Sequence, residues 1–88
     1  MDNYTIEQLR NYIDDIDESI VNMLNSRFDL CKKIGEKKKA LGMDTVYVPE
    51  REQAIINRLS ERECHIDMVR TIWPIIMEYS RSLQKNNK

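Results

Sequence analysis

Metal chemistry has little to work with in this chain. There is a single histidine, His65, and there are two cysteines, Cys31 and Cys64, far apart in the sequence. None of these has a metal-type spacing, so no zinc site and no metal ligands are expected. The cysteines read as free thiols, buried or partly buried, of a protein in a reducing cytoplasm. Glycine occurs only twice, which leaves no glycine-rich loop to cradle phosphate. No hydrophobic run approaches the length of a membrane span. The start, Met1-Asp2-Asn3-Tyr4, is acidic and lacks the apolar run of a signal peptide. Neither sign of charge dominates: the net charge is −1, so no broad field draws in nucleic acid. The one basic run, Lys37-Lys38-Lys39, is short. No nucleic-acid or membrane partner is expected, and the expected location is cytoplasmic. Strand-like alternation, internal repeats and low-complexity tracts are absent as well.

What is present is helical. Hydrophobic residues make up 41% and charged residues 33% of the 88 positions, a balance that fits one soluble, helix-rich domain over residues 1–88. Thr5-Ile6-Glu7-Gln8 fits a capping box, with Thr5 as N-cap and Gln8 reaching back. Apolar residues then fall at Ile6, Leu9, Ile13, Ile16, Ile20 and Met23, and again at Leu30 and Ile34, in alternating steps of three and four. That is a heptad-like seam. The stop signal is Gly42, preceded by Lys37, Lys38 and Lys39 where cations favour a helix C-terminus. The pattern predicts one helix from about Thr5 to Leu41. Gly35 lies inside it, at a cost of about 1 kcal/mol, and either ends the helix early or marks a close approach by another helix.

Gly42 to Val48 reads as a loop. Pro49 suits the first position of a second helix, which runs to about Arg62 with Ile55, Ile56 and Leu59 inward. Asp67 is the expected N-cap of a third helix carrying Val69, Ile72, Trp73, Ile76 and Leu83. Pro74 inside it predicts a kink near Thr71. Trp73 and Met77 read as core, and His65 as an exposed turn residue. The fold class is all-α, with one long helix and two shorter ones. A helix of that first length spans about 55 Å, whereas a compact domain of this size has a radius of gyration near 12 Å. The two shorter helices are too short to cover the whole seam. An intertwined homodimer is the simplest remedy.

Charges appear where the pattern expects hydrophobes. Arg27 continues the first seam after Met23, and Lys38 lies about three turns further along the same face. Glu52 shares a face with Leu59, with Arg51 at the stripe's edge. In the third helix the apolar stripe runs into Ser80 and Gln84. Plainer readings exist for each: Arg27 paired with Glu52 as a buried structural ion pair, the lysine run as a solvated face, and Ser80 and Gln84 as the third helix emerging into water. Taken together, Arg27, Lys38 and Arg51 against Glu52, with neutral Ser80 and Gln84, describe a pocket for an anion with carboxylates. It holds no nucleophile with an adjacent base. Any catalysis there works by fixed charges placed around a reacting solute.

In this order and spacing the residues resemble the all-α chorismate mutases over nearly the whole length. The pieces are Leu9-Arg10, Ile16-Asp17, Ser26-Arg27, Ile34-Gly35-Glu36-Lys37-Lys38, Pro49-Glu50-Arg51-Glu52 and Glu78-Tyr79-Ser80, with Gln84 one turn on. The resemblance implies a homodimer of three-helix chains with two equivalent sites. It makes Arg10 the arginine contributed in trans and Arg27 the carboxylate clamp in cis. Lys38 and Gln84 become donors to the substrate's ether oxygen. Glu52 holds the ring hydroxyl with Arg51 beside it, and Ser80 is a further polar contact near a carboxylate. Family members often carry aspartate just before the second helix, where this chain has Val48. A valine side chain cannot accept a hydrogen bond, so only its backbone is available to a substrate. Independently of the family, Arg10 and Arg27 lie about 25 Å apart along one straight helix and roughly 100° around it. They cannot grip one small molecule from the same chain.

The activity implied is the rearrangement of chorismate to prephenate in phenylalanine and tyrosine biosynthesis. No cofactor is implied. A chain this short is expected to be a stand-alone mutase. Two alternatives stay open: a non-enzymatic helical dimerisation module built on the seam, and a mutase-fold enzyme for a related dianion such as isochorismate.

Overall fold

A computed structural model describes residues 3–43, 47–62 and 66–85. Three helices make up the fold: α1 (Ile6–Ala40), α2 (Pro49–Arg62) and α3 (Ile66–Lys85). Among the described residues there is no strand. No described helix is long and apolar enough to cross a membrane.

The ends of α1 follow from its sequence. Thr5 Oγ1 accepts from the Gln8 amide at 3.1 Å, and the Gln8 side chain accepts from the Thr5 amide at 2.8 Å. The capping box is complete and satisfies two otherwise orphaned donors. At the other end Gly42 adopts a left-handed φ of 72°. This turns the chain so that the Met43 amide donates to the Lys38 carbonyl at 2.8 Å and the Gly42 amide to Lys39 at 3.1 Å. Those are the two bonds of a Schellman cap. Gly35 does not end the helix; it is buried inside it.

Helix α2 starts at Pro49, as the missing N–H of proline favours. The Val48 carbonyl accepts from the amides of Arg51 and Glu52, both at 3.1 Å, which commits that carbonyl to the helix start. Helix α3 begins at Ile66, so Asp67 is a first-turn residue rather than the N-cap. Its acidic side chain still suits the positive end of the helix dipole. The helix continues through Pro74. Pro74 brings no N–H, so it cannot donate to the Arg70 carbonyl one turn earlier, and both residues are exposed. Cys64 and His65 lie outside the described residues.

Helix α3 is the shared element: it packs against both α1 and α2, which do not approach each other directly. Among the described residues the buried apolar side chains are Val69, Ile76 and Met77 of α3, Cys31 of α1 and Ile55 of α2. Phe28 and Tyr79 add an edge-to-face aromatic pair at 4.7 Å between α1 and α3. The fold is elongated, 58 × 26 × 15 Å, with a radius of gyration of 16.8 Å. A compact chain of this length would give about 12 Å. The difference is the N-terminal half of α1, where Ile6, Ile13, Ile16, Ile20 and Met23 are all at least half exposed. Over this half the predicted seam is largely uncovered by the described residues of its own chain.

Candidate active site between the three helices

The inward polar residues meet in one hollow of about 240 Å³. Helix α1 supplies Arg27, Ile34 and Lys38; α3 supplies Met77, Ser80, Arg81 and Gln84; Val48, Arg51, Glu52 and Ile55 close it from the start of α2. Every site residue predicted from the sequence except Arg10 lines this space. Arg10 is exposed on the uncovered half of α1 and does not reach it.

At one end Arg27 Nη1 donates to Ser80 Oγ at 2.5 Å. Ser80 Oγ in turn donates to the Ile76 carbonyl at 2.8 Å. The hydroxyl proton is thus occupied by its own helix, which leaves the oxygen lone pairs for the guanidinium. Ser80 is 5% exposed, so this anchor is dry. Arg27 Nη1 also lies 3.8 Å from the buried thiol of Cys31. The guanidinium keeps further N–H groups, in a planar fork suited to a carboxylate. Burial of a charged group is tolerable where it is hydrogen-bonded and a counter-ion can arrive.

At the other end Lys38 Nζ donates to Gln84 Oε1 at 3.1 Å. Gln84 uses its acceptor on the lysine, which turns its amide N–H groups away as donors. Ammonium and amide together form a donor pair joining α1 to α3. In the lysine run Lys37 and Lys39 are exposed and Lys38 alone is drawn in. The solvated-face reading holds for its two neighbours.

The third feature was not foreseen. Glu52 accepts from Arg81 Nη1 at both carboxylate oxygens, 2.6 and 2.5 Å. The Arg81 guanidinium also lies over the Tyr47 ring, 4.8 Å from its centre. The hydrogen bond to Glu52 raises the Arg81 pKa above the usual arginine value. Glu52 therefore has a protein partner, and that partner is not Arg27. This corrects the structural ion pair of Arg27 with Glu52 considered above: among the described residues the carboxylate pairs with Arg81 instead. The signal available in the sequence was position: Arg81 stands one turn after Met77 and one turn before Gln84, both on the inner face. Arg51 lines the hollow with no ion pair among the described residues.

The hollow is thus lined by four cationic side chains and, among the described residues, one carboxylate. It can hold a small anion bearing carboxylates, clamp it at the Arg27 end and present donors to an oxygen at the Lys38 end.

Known proteins are similar to this chain. Residues 9–85 match the family described as chorismate mutase type II. The chorismate mutase of Methanocaldococcus jannaschii is 32% identical over 84 residues, covering 91% of this chain and 84% of that protein. The bifunctional chorismate mutase/prephenate dehydratases of Aquifex aeolicus and Neisseria gonorrhoeae are each 43% identical, over 54 and 61 residues. Those alignments cover 61% and 65% of this chain, and the chain spans only 15% and 16% of the two larger proteins. No solved structure matches the chain significantly. With the family match spanning almost all of the three-helix fold and its inward polar residues, the chain belongs to the chorismate mutase type II family.

Proposed function

We propose that this chain converts chorismate to prephenate, and that the hollow between the three helices is where it does so. The observation that carries the reading is the Lys38–Gln84 donor pair, set 3.1 Å apart at one end of a hollow whose other end holds the Ser80-anchored guanidinium of Arg27. The reaction is intramolecular: one C–O bond breaks as one C–C bond forms, with no proton transfer and no covalent intermediate. Two tasks remain for the protein. The enolpyruvyl arm must be held over the ring, which the carboxylate clamps do by fixing both ends of the dianion. Negative charge then grows on the ether oxygen, where Lys38 and Gln84 stabilise it more than they stabilise the ground state.

The working unit in this proposal is a homodimer with Arg10 of each chain completing the site of the other. Three features support it. The apolar seam of α1 is exposed over its N-terminal half. Arg10 lies on that half and not at the hollow of its own chain. The hollow, about 240 Å³, is below the roughly 300–1,000 Å³ common for ligand pockets, as expected of a site still lacking a wall. Loss of chorismate absorbance with stoichiometric appearance of prephenate tests the activity directly. A purified, folded dimer with no such turnover would leave the dimerisation module as the better reading.

A further inference from the structure

Glu52 is the one carboxylate on the hollow among the described residues. Its charge opposes a dianionic ligand, yet its position at the start of α2 leaves it in the wall. Val48, beside it, offers no side-chain acceptor, so a hydroxyl on the ligand has Glu52 to turn to. The carboxylate must be aimed at that hydroxyl without repelling the rest of the molecule.

We propose that Arg81 is a positioning and specificity-determining residue of this site, acting on the ligand through Glu52. The inference rests on the function proposed above. One guanidinium nitrogen sits between both oxygens of Glu52, at 2.6 and 2.5 Å, and cancels the carboxylate charge. The Tyr47 ring holds the guanidinium from another side, 4.8 Å away. The carboxylate is therefore fixed by α3 and by the chain entering α2, independently of any ligand. An ionised carboxylate has about four lone-pair sites, so the contact with Arg81 leaves room for a ligand hydroxyl.

The pair is not primarily a fold element. Its side chains keep 31% and 20% of their exposure. It also borders a second, outer hollow of about 480 Å³ between α2 and α3, lined by Tyr47, Gln53, Ile56 and Pro74. A part-exposed ion pair of this kind adds little net stability, since screening on the wet side and desolvation on the dry side both offset its attraction. Removing Arg81 leaves the Glu52 charge facing the incoming dianion, and the effect falls on binding.

The test compares wild type, Arg81→Ala, Glu52→Gln and the double variant by steady-state kinetics on chorismate, with thermal unfolding followed for each. Arg81→Ala is expected to raise KM about tenfold, because the uncompensated Glu52 charge then repels the incoming dianion at close range, while kcat stays within about threefold. Adding Glu52→Gln to that variant recovers most of the lost KM, because a neutral amide needs no counter-charge. Arg81→Lys recovers part of it. Should Arg81→Ala fail to fold, Arg81→Gln replaces it in the same comparison. An unmoved KM, or a raised KM that Glu52→Gln does not recover, overturns the role of Arg81 while leaving the mutase reading in place. A wild-type chain that does not turn chorismate over overturns both.

Discussion

Lys38 and Gln84 lie on different helices, yet their side chains meet at 3.1 Å, with the ammonium donating to the amide oxygen. That contact orients both groups before any ligand arrives. A preorganised donor pair stabilises charge that develops during reaction without first having to rearrange.

Lys38→Ala should therefore lower kcat by about two to three orders of magnitude, the usual cost of losing one such donor. KM should move much less, since the interaction strengthens only as the C–O bond breaks. Stopped-flow or steady-state absorbance on a variant with unchanged helicity reads both constants. A Lys38→Ala chain with near wild-type kcat would remove this residue from the mechanism.

Ser80→Ala tests the other end of the hollow. The hydroxyl is buried and accepts from Arg27 at 2.5 Å. Hydrogen bonds to charged groups are worth about 1.5–3 kcal/mol, so releasing the guanidinium should raise KM by roughly tenfold or more. The kcat should stay close to wild type, because the carboxylate clamp acts in ground state and transition state alike. A fall in kcat with constant KM would instead place Ser80 nearer the breaking bond.

Residues whose place depends on one helix were legible in the sequence. Arg27 and Lys38 share a face by the helical period alone, and the capping box and Gly42 stop follow from local hydrogen-bonding chemistry. The start of α3 was missed by two residues, because a favourable first-turn aspartate and an N-cap aspartate look alike in sequence. Arg81 was missed for a different reason. Periodicity assigns faces within a helix, but the meeting of Glu52 with Arg81 rather than Arg27 depends on how α2 and α3 lie against each other. No spacing rule along one chain encodes that angle. Nor does a seam declare its partner: the exposed isoleucines of α1 ask for a cover without naming it.

Gly42→Ala probes the fold apart from the site. At φ 72° an alanine enters the left-handed region, which costs about 1–2 kcal/mol. Nothing lies within 4 Å of the added Cβ, so the penalty comes from the backbone alone. Denaturant unfolding should show a loss of about that size with an unchanged slope. Lys38 lies in this last turn and its carbonyl accepts from the Met43 amide of the cap, so kcat is read beside stability and should fall only where the last turn of α1 unwinds.

Arg10→Ala and Arg27→Ala, mixed after each is shown to be nearly inactive, test whether two chains build one site. In a mixed dimer, one site keeps Arg27 from the first variant and Arg10 from the second, while the other site loses both. Random exchange makes about half the dimers mixed, with one intact site in two, so recovered activity should approach roughly a quarter of wild type. Exchange can be followed independently with a mass-tagged chain. Recovery that rises with the fraction of mixed dimers requires an arginine to cross the interface, because neither parent chain holds both. Complete exchange without recovery would mean that Arg10 serves the fold or the seam instead, and that each hollow must work with Arg27, Lys38, Arg51 and Arg81 from its own chain.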